Sequence, residues 1–104
     1  MVTKEDMTIS FLEELIGTRT KLRTFEFLLE HPICEYSMRD ICENTWLSIQ
    51  SVKNALNIFT EYGMLTVTRK EGEDYYQINM ESPIVEAFLE LHLKLAEVLV
   101  ERER

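Results

Sequence analysis

A chain of 104 residues with 45% hydrophobic content and a formal net charge of −8 is one domain with enough apolar material for a core. No apolar run approaches the roughly 20 residues needed to span a bilayer, and the N-terminal MVTKEDMTIS lacks the apolar stretch of a secretory signal, so a cytoplasmic protein without membrane contact is expected. The charge is uneven: residues 1–70 hold eight Lys/Arg and ten Asp/Glu, whereas residues 71–104 hold three and nine.

Residues 1–7 read as a loose terminus. Thr8 to Ile16 has the spacing of a short helix, with Ile9, Leu12 and Ile16 on one side, Phe11 beside them, and Gly17 ending it. A second helix is expected from about Arg19 to Glu30, its apolar period carried by Leu22, Phe25, Leu28 and Leu29 and its end marked by His31-Pro32. Arg19, Lys21 and Arg23 at its start read as a solvated first turn, with phosphate contact as the alternative. Ile33 to Tyr36 is a short extended piece and a candidate third strand.

Ser37-Met38-Arg39-Asp40 has the form of a capping box, in which two side chains satisfy each other's backbone donors. It opens a brief helix to about Glu43, with Ile41 and Cys42 facing inward. Asn44 to Leu47 makes a turn in which Trp46 reads as a core or turn anchor, with base stacking as the alternative. The stretch that follows has a start, a stop and two faces. Ser48 suits the N-cap and Gly63 the left-handed position past the end. Ile49, Val52, Leu56 and Phe59, with Ala55, mark a buried face. The other face carries Gln50, Ser51, Lys53, Asn54 and Asn57. No acidic residue occurs from Asn44 to Thr60, although the chain holds 19. Such a face either meets water or suits DNA, where carboxylates are repelled by phosphate while amides and Lys pair with base edges.

After Gly63 the period changes to two. Leu65 and Val67 alternate with Thr66 and Thr68, then Tyr76, Ile78 and Met80 with Tyr75, Gln77 and Asn79, around the charged turn Glu71 to Asp74: a β-hairpin. Ser82-Pro83 starts a last helix that runs to the end of the chain. Ile84, Phe88, Leu91, Leu95 and Val98 form one stripe on it. Val85, Leu89, Ala96 and Leu99 form a second, in which His92 reads as a packed, hydrogen-bonded histidine. An apolar arc that wide exceeds what one small domain covers, so one stripe is expected to close the core and the other to meet a second copy, giving a homodimer. Cys34 and Cys42 form no CxxC pair and read as reduced and structural, with no metal or cofactor expected.

This order of elements is that of a winged-helix domain. KLRTFEFLLEHP, SMRDICENTWLSIQSVKNALNIFTEYGMLTVTR and YYQIN resemble the winged-helix transcriptional regulators of the ArsR/MarR-like superfamily, particularly small archaeal-type members. The densest part is L-S-x-x-S-V-x-x-A-L followed by F-x-x-x-G-M-L, from Leu47 to Leu65. The resemblance implies an α+β, mostly helical fold: a winged helix-turn-helix over residues 8–81 and a C-terminal dimerisation helix over residues 82–104, packed on the same domain. It implies a dimeric, sequence-specific regulator of transcription that binds double-stranded DNA at a pseudo-palindromic site, with repression by promoter occupancy as the simplest mode. Ser48, Gln50, Ser51, Lys53, Asn54 and Asn57 would approach the major groove. Arg69 and Lys70 would touch phosphate or the minor groove, and Arg39 completes the DNA-facing set. Two features depart from the pattern: the acidic tip Glu71-Gly72-Glu73-Asp74, and the lack of a metal-sensing cysteine cluster. The alternative is a winged helix that binds protein rather than DNA, which the acidic charge favours. Nothing indicates an enzyme: His31 and His92 stand in unrelated contexts, and there is no Gly-rich phosphate loop or catalytic carboxylate pair.

Overall fold

The computed structural model describes residues 12–103, so the expected contributions of Ile9 and Phe11 to the first helix lie outside the described residues. Residues 12–16 are helical (α1) and are followed by α2 (Arg19–Glu30), β1 (Tyr36–Ser37), α3 (Met38–Thr45), α4 (Ile49–Glu61), β2 (Leu65–Lys70), β3 (Glu73–Ile78) and α5 (Pro83–Arg102). The strands form one antiparallel sheet in the order β1-β3-β2. The fold is therefore α+β and mostly helical, with the long last helix expected.

Side-chain caps begin each of the four longer helices. Thr18 accepts from Lys21 N, Ser48 from Ser51 N and Ser82 from Val85 N. Ser37 and Asp40 complete a reciprocal capping box on α3. Each such cap contributes about 1 kcal/mol. Gly63 takes φ 74° after α4, where a Cβ would be strained. Its carbonyl then accepts from Asn79 Nδ2 at 2.9 Å, and Met64 O accepts from Asn79 N, tying the end of α4 to the end of β3.

Phe25, Leu28, Ile41, Val52, Leu56, Phe59, Met64 and Val85 form the fully buried centre. Phe25 meets Phe59 at 5.6 Å between centroids and Phe88 edge-on at 4.9 Å, joining α2, α4 and α5. Truncating either fully buried ring to Ala is worth about 3–5 kcal/mol.

Several expectations are corrected. The side of α1 turned to the core carries Leu15, while Leu12 is 45% exposed. On α2, Thr24 is buried and Leu22 is not, because the hydroxyl of Thr24 returns to Thr20 O and removes its polar cost. The third strand is Tyr36–Ser37, and Ile33 lies out in solvent. The brief helix runs on to Thr45, whose buried hydroxyl donates to Ile41 O. The hairpin turn needs only Glu71 and Gly72, both at positive φ (50° and 79°), the pair that a two-residue connection between right-twisted strands demands. Val67 alternates as expected but is exposed, since the helices cover only the Leu65–Ile78 end of the hairpin, and Met80, expected to continue the alternation, lies exposed in the turn after β3 ends at Ile78.

The last helix differs most. Its two stripes are not divided around the axis, one in and one out. They are divided along it: Val85 is buried and Ile84, Phe88 and Leu89 are half-buried, whereas residues 90–103 are all exposed, His92 included. A 20-residue helix rises about 30 Å, and the domain covers only its first two turns. Among the described residues, no helix is long and apolar enough to cross a membrane.

Candidate nucleic-acid interface

The helix-turn-helix is α3, the turn at Trp46 and Leu47, and α4. Val52, Ala55, Leu56 and Phe59 turn inward at helical spacing, which by the same period turns residues 50, 53, 54 and 57 outward. Gln50, Lys53, Asn54 and Asn57 are accordingly exposed, as is the N-cap Ser48, while Ser51 is half-buried. Gln50 Nε2 donates to Asn54 Oδ1 at 3.0 Å, and Ser48 Oγ donates to Ser51 Oγ at 2.9 Å. These neutral groups satisfy each other one turn apart and exchange freely for an outside partner. The sequence places all six residues on one helix, and the fold brings them onto one continuous surface.

Arg39 is exposed on the first turn of α3. The wing cations are differently placed. Arg69 donates from Nη1 to Asp74 Oδ1 and from Nη2 to Gly72 O, each at 3.0 Å, so it braces the hairpin turn. Lys70 Nζ donates to Glu35 Oε2 at 2.6 Å and lies 5.7 Å from the centroid of Tyr75. The hydrogen bond that Lys70 donates to Glu35, with the charge of that carboxylate, holds the Lys70 ammonium above the ordinary lysine range. The two wing cations expected at phosphate are thus engaged by the protein's own acceptors.

Two members of this surface escape a sequence reading. Ile49, assigned to the buried face, is 63% exposed: it has the phase of Leu56 but sits at the first residue of α4. Trp46, assigned as an anchor, is 90% exposed, with φ 63° and ψ 23°. A signal existed. A capped helix at Ser48 so soon after α3 calls for a left-handed residue in the turn between them. Arg23 on α2 reaches the same turn, its Nε donating to Thr45 O at 2.8 Å.

Cys42 is half-buried against the core, and burial, with Glu43 nearby, pushes its thiol up. Among the described residues, no group of three His, Cys, Asp or Glu is placed to hold a metal ion.

No protein-family model matches the chain, and no curated protein matches it in sequence at significance. Solved structures do match. The antimony-specific transcriptional repressor AntR is 22% identical with a TM-score of 0.68, over 97% of this chain and 88% of its own. Rv0081 of M. tuberculosis is 18% identical with a TM-score of 0.70, over 99% and 100%. The homodimeric winged helix-turn-helix DNA-binding domain of Mb0332 from Mycobacterium bovis, a possible ArsR-family transcriptional regulator, is 17% identical with a TM-score of 0.66, over 95% and 94%. With α3–α4 as its helix-turn-helix and β2–β3 as its wing, this chain has the winged helix-turn-helix fold found in ArsR-type transcriptional regulators.

Proposed function

We propose that this protein is a dimeric, sequence-specific DNA-binding regulator of transcription of the ArsR type, acting in the cytoplasm as a repressor by occupying its site. The observation that carries this reading is the outer face of α4. Ser48, Gln50, Lys53, Asn54 and Asn57 are exposed there, within a stretch free of carboxylates from Asn44 to Thr60, in a chain of net charge −8. Gln50 and Asn54 each carry an amide donor and acceptor complementary to the N7 acceptor and N6–H donor of adenine in the major groove, and Lys53 supplies charge to phosphate. Arg39, Ser51, Arg69 and Lys70 complete the proposed contact set.

The dimer is supported by α5. Leu91, Leu95 and Val98 are each at least half exposed, an apolar surface that a soluble monomer does not leave open. Ile84 and Phe88 begin the same stripe where it leaves the domain, and with Leu12, Leu15, Pro83, Ala87 and Leu91 they line an apolar groove of about 470 Å³. A two-fold pairing of α5 covers this surface with its own copy and presents two α4 helices to successive major grooves. Mb0332, of similar fold, is homodimeric.

Selection of bound sequences by the full chain from a random pool of duplex DNA tests the reading. The expected product is an inverted repeat with half-site centres roughly 34 Å apart. A second reading, a winged helix that binds protein, is favoured by the self-paired wing cations. It takes over if no sequence is enriched and no salt-dependent DNA binding is found.

A further inference from the structure

Two local rules are broken side by side at the entrance to α4. Trp46 occupies the left-handed region at φ 63°, a position that favours glycine because a Cβ is crowded there. A helix-turn-helix turn often holds glycine, yet the chain puts its one tryptophan there, with the indole 90% exposed, so the ring adds almost nothing to the core. Across from it, α2 opens with Arg19, Lys21 and Arg23 and has no acidic residue in its first turn. Cations in the first turn oppose the helix dipole, which therefore does not explain Arg19 and Lys21, whereas Arg23 lies past that turn and ties α2 to α3 through Thr45 O. Places where local preference fails without a packing gain are those where function is expected.

The two exceptions meet. Arg19, Arg23, Thr45, Trp46 and Leu47 line one open recess of about 380 Å³. The bond from Arg23 Nε to Thr45 O fixes a guanidinium against the backbone directly before Trp46. Trp46 in turn lies two residues ahead of the N-cap of α4. The recess therefore borders the proposed reading face, and its charge is complementary to phosphate.

We propose that Trp46, with Arg19 and Arg23, is a second DNA contact, made to the sugar–phosphate backbone of the strand bordering the groove that α4 enters. This rests on the DNA-binding reading above and adds a surface outside the reading helix and the wing. The indole face packs on deoxyribose and its Nε1–H donates to a phosphate oxygen, while the guanidinium groups supply charge in a geometry suited to phosphate. An acidic protein segment would meet the same charges. Continuity with Ser48, Gln50 and Lys53 favours DNA, since one ligand then covers both surfaces. The contact also accounts for a reader whose wing cations are self-paired: the backbone is held by a surface other than the wing.

The test is Trp46→Gly in the full chain, measured on the duplex selected from the random pool and on random duplex. Glycine relieves the positive φ, so the thermal midpoint is expected to hold or rise. Affinity is expected to fall about tenfold on both DNAs, the size of one well-packed aromatic contact. Arg19→Ala is expected to shallow the dependence of log affinity on log salt by roughly 1. Binding by the unmodified protein that Trp46→Gly leaves unchanged overturns the proposal and leaves the indole to a protein partner. A loss confined to the selected site overturns the backbone assignment, because the indole then reads bases. A lowered midpoint makes Trp46 structural and also overturns it. An unmodified protein that binds neither DNA defeats the DNA-binding reading itself, and this contact with it.

Discussion

The outer face of α4 and the tip of the wing are both exposed and polar, and both come from the stretch that resembles a DNA-binding unit. They differ in what their polar groups already hold. On α4 the partners are neutral: Gln50 with Asn54 and Ser48 with Ser51, each within one helical turn. On the wing the partners are charged, Arg69 with Asp74 and Lys70 with Glu35. A neutral hydrogen bond at the surface is surrendered to another acceptor at little cost, whereas a cation that leaves a carboxylate for a phosphate exchanges one anion for another. The contrast teaches that, if DNA is the ligand, discrimination belongs to the helix and the wing adds little to general affinity. Non-specific binding should be weak for a protein of this type.

The first way to break that contrast is to separate the two copies of α4. On the proposed reading, with so little help from the wing, two half-sites acting together are expected to supply the affinity. Leu91→Lys combined with Leu95→Lys changes residues that are 50% and 51% exposed in the single chain, so the domain itself should stay folded. The expected outcome is a monomer of 12.3 kDa by sedimentation at micromolar concentration, with DNA affinity lower by about a hundredfold or more through loss of avidity. A variant that stays dimeric, or an unmodified protein that sediments as a monomer, removes the role given to α5.

Next in size is the reading face. Gln50→Ala and Asn54→Ala should each lose roughly 1–3 kcal/mol on the preferred site and little on random DNA. Competition titrations with both DNAs decide it: equal losses on the two would make these amides generic backbone contacts, and no loss would remove α4 from the groove.

What the sequence discloses of this contrast divides by range. The caps at Ser37, Ser48 and Ser82, the stop at Gly63 and the hairpin follow from residues within a few positions of one another, where hydrogen-bond reach and allowed φ decide the outcome. The polar face of α4 is legible for the same reason. The exposure of Ile49 is not, since its phase is that of Leu56 in the core although it sits at the first residue of α4. Nor is the engagement of Lys70, whose partner Glu35 is 35 positions away and is brought beside the wing by the pairing of β1 with β3. On α5 the stripes are plain in sequence, but where the domain stops covering them depends on tertiary shape.

The wing half of the contrast can be sharpened by releasing its cations. Glu35→Gln frees Lys70, and Asp74→Asn frees Arg69 from its carboxylate. Because Glu35 raises the Lys70 pKa rather than lowering it, the ammonium is already charged throughout neutral pH, and release adds a full positive charge for phosphate without any titration. Each variant should bind random DNA severalfold more tightly and steepen the salt dependence by about 0.9. Preference for the selected site should change little. Unaltered salt dependence would mean that the wing does not approach DNA at all.

The smallest effect expected is on the cysteines, and it tests whether the reading unit answers to redox or metal. Cys42 lies on α3, the helix that supports α4, so any modification there would move the reading face. Its thiol is half-buried, and burial together with Glu43 raises its pKa, which disfavours the thiolate that oxidants and metals attack. Cys34 is also half-buried, and no metal-sized cluster surrounds either residue among the described residues. Replacing both with Ser should lower the thermal midpoint slightly through lost packing and leave DNA affinity unchanged. The affinity of the unmodified protein should likewise not respond to peroxide or to zinc. A zinc-dependent change of tenfold or more would show that the thiols gate the helix-turn-helix, and α4 would then be a regulated surface rather than a constitutively open one.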